Sequence, residues 1–172
     1  MLSGPRGGAV VDRRDESSLP AESEDAARAL LAEGMRRGVM SLLGIELVEA
    51  RPDRVTLRVE VDERLHQPYG ILHGGVSALL AETAASLGGA LAVQAGETVA
   101  GIELNASHLR PMQAGELLAV ATPLRLGRSV HVWDVTLHDG LDRLICKARC
   151  TLAVLRNGPT GSTRSSTNLG GK

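Results

Sequence analysis

The chain has 172 residues, of which 43% are hydrophobic and 23% charged, a balance typical of one soluble globular domain. A formal net charge of -1 gives no basic surface for nucleic acid or an anionic membrane, and an aromatic content of 1% argues against a stacking platform for bases. No apolar run reaches the length of a membrane span, and residues 1–20 lack the apolar stretch of a signal peptide. We therefore expect a cytoplasmic protein with no membrane or nucleic-acid partner.

The N-terminal part combines a polar segment with a short helix. Residues 1–20 are rich in glycine, serine and charge, and we predict that they are disordered. An amphipathic helix is predicted to begin at Ser23 or Glu24 and to end near Gly34 and Gly38, because apolar residues recur between them at helical spacing.

The rest of the chain alternates strand-like runs with one long apolar segment. Residues 74–93 form the predicted long helix. Strands are predicted at residues 44–50, 54–61, 98–107, 116–126, 129–138 and 143–155. An antiparallel sheet needs its apolar face covered, and only the 74–93 helix is long enough, so the pattern predicts a single α+β domain over residues 21–156. Residues 157–172 are low in apolar side chains and are predicted to be disordered.

Glu82 stands in the middle of the predicted long helix, among alanine, leucine and serine residues. Burying a charge costs free energy, so an apolar helix retains a carboxylate where water, a partner or a substrate meets it. The helix opens at Gly74 and Gly75, and free N–H groups at a helix start can polarise a carbonyl oxygen. Eight positions, about 12 Å along the axis, separate Gly74 from Glu82, so they reach one carbonyl only if they come from two subunits. Ser86 shares the Glu82 face.

A spaced set of residues in this region carries a family pattern. Its members are Gln67, Gly70, His73, Gly74, Gly75, Glu82 and Ser86. In this spacing the chain resembles the hotdog-fold acyl-CoA thioesterases of the phenylacetic-acid-degradation type, particularly the branch of the 4-hydroxybenzoyl-CoA and 1,4-dihydroxy-2-naphthoyl-CoA thioesterases. The likeness continues through residues 99–111, 123–135 and 143–155.

The resemblance implies a hotdog fold, in which an antiparallel sheet wraps around one long central helix, and an acyl-CoA thioesterase that needs no metal or other cofactor. The Gly74 N–H is expected to polarise the thioester carbonyl, while Glu82 of the second subunit attacks it or activates a water. Gln67 is expected to orient the thioester, Ser86 to position the carboxylate or water, and His73 to support the loop. The smallest active unit is then a homodimer, and the family suggests a dimer of dimers.

Coenzyme A needs cationic partners for its phosphates and a groove for its pantetheine arm. The resemblance implies contacts at one glycine, one His-x-Arg stretch and one turn. These residues are Gly101; His108, Leu109, Arg110 and Pro111; and Arg125, Leu126, Gly127, Arg128, Ser129 and Val130. Relatives closest in pattern read Gly-Ser-Arg-His within the turn, so the cationic side chain has moved by one position here, which weakens the individual assignments. An ordinary solvated face is the alternative for each arginine.

The resemblance also implies aromatic or similarly bulky acyl groups, with 1,4-dihydroxy-2-naphthoyl-CoA as the first candidate, a substrate of menaquinone biosynthesis. Small residues on one helix face, Ala78, Ala81, Ala85 and Gly89, either leave room for a flat ring beside Glu82 or permit close helix–sheet or subunit packing. Two alternatives stay open. One is proofreading hydrolysis of aryl carrier-protein thioesters, and the other is a non-catalytic acyl-CoA-binding hotdog module, which has no need of the complete set of site residues.

Other chemistries find little support in the sequence. His66, His131 and His138 have no metal-ligand spacing, so no metal site is expected. The Gly-x-Ser-x-Gly elbow of serine hydrolases does not occur. Cys146 and Cys150, four positions apart in a predicted strand, are expected to be free core thiols, because their spacing separates them too far for a disulfide.

Overall fold

The computed structural model describes Ala29 and residues 31–156. Both predicted disordered segments, residues 1–20 and 157–172, lie outside the described residues, as does the predicted helix start at Ser23 or Glu24. Within the described part, no helix is long and apolar enough to cross a membrane.

Besides the helical residues 31–35, the described part of the chain forms two α-helices and six strands. They are α1 (Gly38–Leu43), β1 (Glu46–Arg51), β2 (Arg54–Val61), α2 (Gly74–Leu91), β3 (Glu97–His108), β4 (Gly115–Leu126), β5 (Val130–Asp139) and β6 (Leu144–Arg156), with a 3-10 turn at Glu63–Leu65 between β2 and α2. The long helix and all six predicted strands are confirmed.

The six strands form one antiparallel sheet in the order β1-β2-β4-β5-β6-β3, and α2 contacts every strand of it. The α+β hotdog arrangement is therefore confirmed. The inward face of β2 shows why the sheet forms, since Val55, Leu57, Val59 and Val61 alternate along the strand and are each at most 1% exposed. Their burial against α2 removes this apolar face from water.

The N-terminal helical region differs from its prediction. Residues 31–35 are helical, as expected, but the chain turns at Arg36 and Arg37 and becomes helical again as α1, which the sequence analysis missed. This second helix ends at Gly44, whose left-handed backbone (φ 70°) lets its N–H donate to the carbonyls of Met40 and Ser41. Gly38 therefore begins a helix instead of ending one.

Small residues let α2 approach the sheet closely. Ala81 and Ala85 are fully buried, and a side chain at Gly89 would meet Leu152 and Val99. The expectation that this face leaves room for a ring beside Glu82 is wrong at these three positions, and the alternative of close helix–sheet packing is confirmed.

Gly88 is the tightest point of this contact, and its replacement by alanine should destabilise the fold. A Cβ there would collide with the indole ring of Trp133, which is fully buried. Overpacking costs about 1–3 kcal/mol, more than the roughly 1 kcal/mol that a helical alanine gains over glycine. We expect Gly88→Ala to lower the free energy of unfolding by up to about 2 kcal/mol in urea titrations.

Gly140→Ala is the matched control, because a Cβ at Gly140 meets no atom within 4 Å. The control should unfold at the wild-type denaturant midpoint. An unchanged midpoint for Gly88→Ala would mean that the indole has space to move aside.

Candidate active site

A tight loop before α2 presents Gln67. The Gln67 N–H donates to the Ile71 carbonyl at 2.8 Å, and the Gly70 N–H donates to the Gln67 carbonyl at 3.0 Å. Gly70 has φ +75°, which glycine adopts without steric cost. The loop is tied to the rest of the fold because the Leu72 N–H donates to the Met112 carbonyl at 2.7 Å. Gln67 is therefore held by backbone hydrogen bonds on both sides of the turn.

His73 caps the start of α2. Its Nδ1 accepts the Gly75 N–H at 2.8 Å, and its own N–H donates to the Leu65 carbonyl at 2.8 Å. This geometry agrees with the loop-supporting role expected for His73. The Gly74 N–H, at the first helical position, has no acceptor within the helix. It points out of the helix end where the macrodipole favours negative charge.

A first cavity of about 410 Å³ opens beside this helix start. Its walls combine the loop, the first turn of α2 and the chain that follows β3. The lining residues include Gln67, Gly74, Ser77, His108, Leu109, Arg110 and Pro111. The structure thus brings the predicted thioester-orienting glutamine and the Gly74 amide together with the predicted His-x-Arg stretch.

His108 and Arg110 have defined neighbours at this cavity. A Cβ on Gly74 would lie 2.8 Å from the His108 Nε2, so the imidazole occupies the space that a side chain would need at this position. Arg110 donates from its Nη1 to the Leu144 carbonyl at 2.7 Å, which holds its guanidinium at the cavity. A fixed guanidinium still has other N–H groups for an anion.

A second cavity of about 500 Å³ contains Glu82. It is lined by Leu31 before α1, by α2 residues from Leu79 to Ala90, and by Thr98 and Val99 of β3. Ser86, one turn after Glu82, lines the same cavity and lies on the same helix face. Apart from the one carboxylate and small hydroxyls, this lining is aliphatic.

Gly101 lies against the carboxylate of Glu82. A Cβ built on Gly101 would collide with Oε1 of Glu82, at a point where the β3–β6 register shifts between Gly101 and Glu103. The sequence analysis assigned Gly101 to coenzyme A through the family. The structure places it where its missing side chain leaves space for Glu82.

Gly101→Ala should therefore displace the carboxylate without unfolding the protein. Gly101 is exposed on β3, so stability should change little. Misplacing a reacting group by about 1 Å costs up to roughly a hundredfold in rate, and we expect thioester turnover to fall by about tenfold to a hundredfold. Steady-state kinetics on the best thioester substrate measures this, with Gly140→Ala again as the matched control. Unchanged turnover would show that Glu82 has another productive position.

The two cysteines are free and buried, as predicted. Burial, together with the negative charges of Glu82 and Glu103, raises the pKa of the Cys150 thiol to about 11. Burial also raises the pKa of the Cys146 thiol. Since the thiolate is the nucleophilic form, neither cysteine is suited to attack a thioester.

No residue is shared by the linings of the two cavities, so Gly74 and Glu82 of one chain face different spaces. The connection from the end of β4 to the start of β5 contributes to neither lining. Its residues are Arg125 and Leu126 of β4, Gly127, Arg128 and Ser129 of the turn, and Val130 of β5, and their assignment to coenzyme A stays a prediction. Within residues 31–156, no three His, Cys, Asp or Glu side chains cluster as metal ligands.

Ser77 and Leu31 are among the lining residues that the sequence did not assign to the site. Ser77 is 1% exposed, lines the first cavity, and could have been found from its position one turn after Gly74. Leu31 lines the second cavity from a separate part of the chain. Its spacing from other apolar residues placed it on the apolar face of the N-terminal helix, but no local pattern related it to Glu82.

The family comparison agrees with this architecture. A family model described as the thioesterase superfamily matches residues 69–146. A 1,4-dihydroxy-2-naphthoyl-CoA hydrolase from Listeria monocytogenes is 44% identical over 117 residues, covering 68% of this chain and 95% of that protein. A proofreading thioesterase EntH from Cronobacter turicensis is 42% identical over 113 residues, covering 66% of this chain and 82% of that protein.

Solved structures agree as well. A crystal structure of a thioesterase from Haemophilus influenzae has a TM-score of 0.72 and 41% sequence identity, and the match covers 76% of this chain and 91% of that one. Fold and relatives together define a hotdog-fold thioester hydrolase. The chain belongs to the thioesterase superfamily.

Proposed function

We propose that the protein hydrolyses aromatic or similarly bulky acyl-CoA thioesters, such as 1,4-dihydroxy-2-naphthoyl-CoA, releasing the acid and the coenzyme A thiol. The observation that carries the proposal is the placement of Glu82, a carboxylate in an otherwise aliphatic and hydroxyl-lined cavity, beside the space left by Gly101. The Listeria monocytogenes relative, named for this substrate, supports the choice of acyl group.

The reaction uses one half-site from each of two chains. The Gly74 N–H, at its helix N-terminus, polarises the thioester carbonyl and stabilises the negative charge that develops on its oxygen. Glu82 of the second subunit attacks the carbonyl carbon or removes a proton from an attacking water. Gln67 orients the thioester, and Ser86 positions the carboxylate or the water.

The edge of the sheet supports a homodimer. Among the described strands β3 pairs only with β6 and is therefore an edge strand, and Ile102, next to Gly101 on it, is 60% exposed. A long edge with unpaired backbone groups is a template for pairing with another chain. Such pairing would bring a second chain close to Glu82. In accordance with the family, we extend the assembly to a dimer of dimers in the cytoplasm.

Coenzyme A would enter through the first cavity. Arg110 and His108 provide donors for the phosphates, and Arg125 at the end of β4 and Arg128 in the following turn make a second cationic contribution. The acyl group would lie in the second cavity with the aliphatic side chains around Glu82. A 1,4-dihydroxy-2-naphthoyl substrate would place the enzyme in menaquinone biosynthesis.

Proofreading of aryl groups on a carrier protein is the second candidate function. The relative named proofreading thioesterase EntH favours it. The chemistry at Glu82 is the same for both functions, and only the group that docks at the first cavity differs. A carrier protein would present the pantetheine arm without the nucleotide of coenzyme A.

A panel of thioesters with free-thiol detection tests the proposal. We compare kcat/KM for aryl, medium-chain and short-chain acyl-CoA esters, and for the same aryl group on a carrier protein. Removing a ring from water contributes about 25 cal/mol per Å² to transition-state binding, so an aryl ester should exceed acetyl-CoA by at least about tenfold. A preference for acetyl or long straight chains contradicts the aryl assignment. A preference for the carrier-bound ester selects the proofreading function.

A further inference from the structure

We infer that Leu31, on the helical segment before α1, is a wall of the acyl cavity and limits the size of the acyl group that the enzyme accepts. The inference rests on the proposed function, since it assigns the cavity around Glu82 to the acyl part of the substrate. It concerns a residue outside the span of 69–146 that matches the family model.

The segment that carries Leu31 is held against the domain by one face. Met35 lies one helical turn after Leu31, is only 7% exposed, and belongs to the hydrophobic core. Glu33 faces away and makes ion pairs with Arg36 and Arg37 at 3.2 and 3.3 Å, all three side chains being largely exposed. Residues at i and i+4 share a helix face, so the anchoring of Met35 also directs Leu31 inward.

Leu31 lines the cavity together with residues of α2 and β3. Leu87 and Ala90 lie on α2 beyond Glu82, and Val99 lies on β3. Leu31 is half-buried and, among the described residues, is the one lining residue contributed by neither of these elements. The helix and the sheet are fixed to each other by the core, whereas the Leu31 wall is added from a separate segment.

The chemistry of this wall is steric and apolar. The acyl carbonyl must lie within reach of Glu82 or of a water beside it, so the rest of the acyl group must fit among the α2 and β3 side chains and Leu31. One missing or added methylene in an apolar pocket changes selectivity by about tenfold or more. Because the Leu31 side chain is apolar and uncharged, it discriminates between acyl groups by their size and not by their charge.

Two opposite changes of volume test the inference. We compare kcat/KM for 2-naphthoyl-CoA with that for benzoyl-CoA, because the two esters differ by one ring. Leu31→Ala should raise the naphthoyl-to-benzoyl ratio by about fivefold to tenfold, and Leu31→Trp should lower it by a similar factor. The volume-conserving Leu31→Met should keep the wild-type ratio.

Leu42→Ala is the matched control, since Leu42 on α1 is 74% exposed and lines neither described cavity. Its ratio should equal that of the wild type. Melting temperatures identify a variant that fails to fold, and the folded one of Leu31→Ala and Leu31→Trp then carries the test, with a ratio within twofold of wild type overturning the inference. A ratio within twofold of wild type for folded Leu31→Ala overturns the inference, as does a shift of both variants in the same direction.

A failure of the proposed function is distinguishable from a failure of this inference. If the wild-type enzyme hydrolyses no acyl-CoA, the proposed function is wrong, and the Leu31 wall is then tested by the affinity of naphthoyl and benzoyl thioether analogues of the thioesters. If the wild type is active but the ratios do not move, only the role of Leu31 is wrong.

Discussion

Glu82→Gln should retain the fold and acyl-CoA binding but lower turnover by at least about a hundredfold, the scale of losing a general base. The amide keeps the shape of the carboxylate beside Gly101 but can neither accept a proton from water nor attack a carbonyl carbon effectively. Turnover is measured by thiol release, and binding by titration with a non-hydrolysable thioether analogue. Because the change acts on the chemical step, kcat should fall while the affinity for the analogue stays within a few-fold of the wild type.

Glu103→Gln provides a control with the same chemical change on the neighbouring strand. The Glu103 carboxylate is exposed and accepts a hydrogen bond from Thr151 at 3.0 Å, and it lines neither described cavity. This variant should turn over at nearly the wild-type rate. A folded Glu82→Gln enzyme with wild-type turnover would remove Glu82 from the mechanism altogether.

The reaction at Glu82 can follow two routes, which hydrolysis in water with a labelled oxygen distinguishes. If Glu82 attacks the thioester, an acyl–glutamyl anhydride forms, and a single turnover in isotope-labelled water can leave the label on the enzyme when water opens the anhydride at the glutamyl carbon. If Glu82 activates a water instead, all of the label appears in the released acid.

Local sequence patterns sufficed to predict the sheet and its central helix. Val55, Leu57 and Val59 alternate with polar residues because the face of β2 that they form packs in the core, and that period is visible without any structure. The helical period of about 3.6 residues likewise identified which residues share a face of α2. It did not identify what covers that face, so Ala81 and Ala85, which pack on the sheet, were also considered as space for a substrate.

The parts of the site that the sequence did not predict depend on contacts between distant segments. Gly101 and Glu82 lie on different elements, and only the crossing of α2 over β3 brings them together. The same holds for Leu31, which reaches the Glu82 cavity through the docking of a separate helical segment. Gly38 shows the converse problem, because a glycine is compatible with the end of one helix and with the beginning of the next.

The clearest expected result for the whole site is complementation between two inactive variants. Gly74→Pro removes the N–H that polarises the carbonyl. Proline is accepted at the first helical position, and the extended conformation of His73 (φ -69°, ψ 129°) is compatible with a following proline. Losing one such donor costs about a hundredfold or more in turnover, so Gly74→Pro and Glu82→Gln should each be nearly inactive as homodimers.

A heterodimer of the two variants should recover activity. Its Glu82→Gln chain supplies an intact Gly74 N–H, and its Gly74→Pro chain supplies an intact Glu82, so one of its two symmetric sites is complete. Co-expression with two different affinity tags and sequential purification isolates this species, and its turnover should be about half that of the wild type.

Gly74→Ala is the control for the collision with His108. It adds the Cβ that meets the imidazole but keeps the N–H, so its turnover reports the steric part of the Gly74→Pro effect alone. If Gly74 and Glu82 of a single chain formed the site, the heterodimer would contain two defective sites and would stay as inactive as its parents. Recovery of half the activity requires that each site takes its carbonyl-polarising amide from one chain and its carboxylate from the other. The two separate cavities along α2 support this arrangement, because one contains Gly74 and the other contains Glu82.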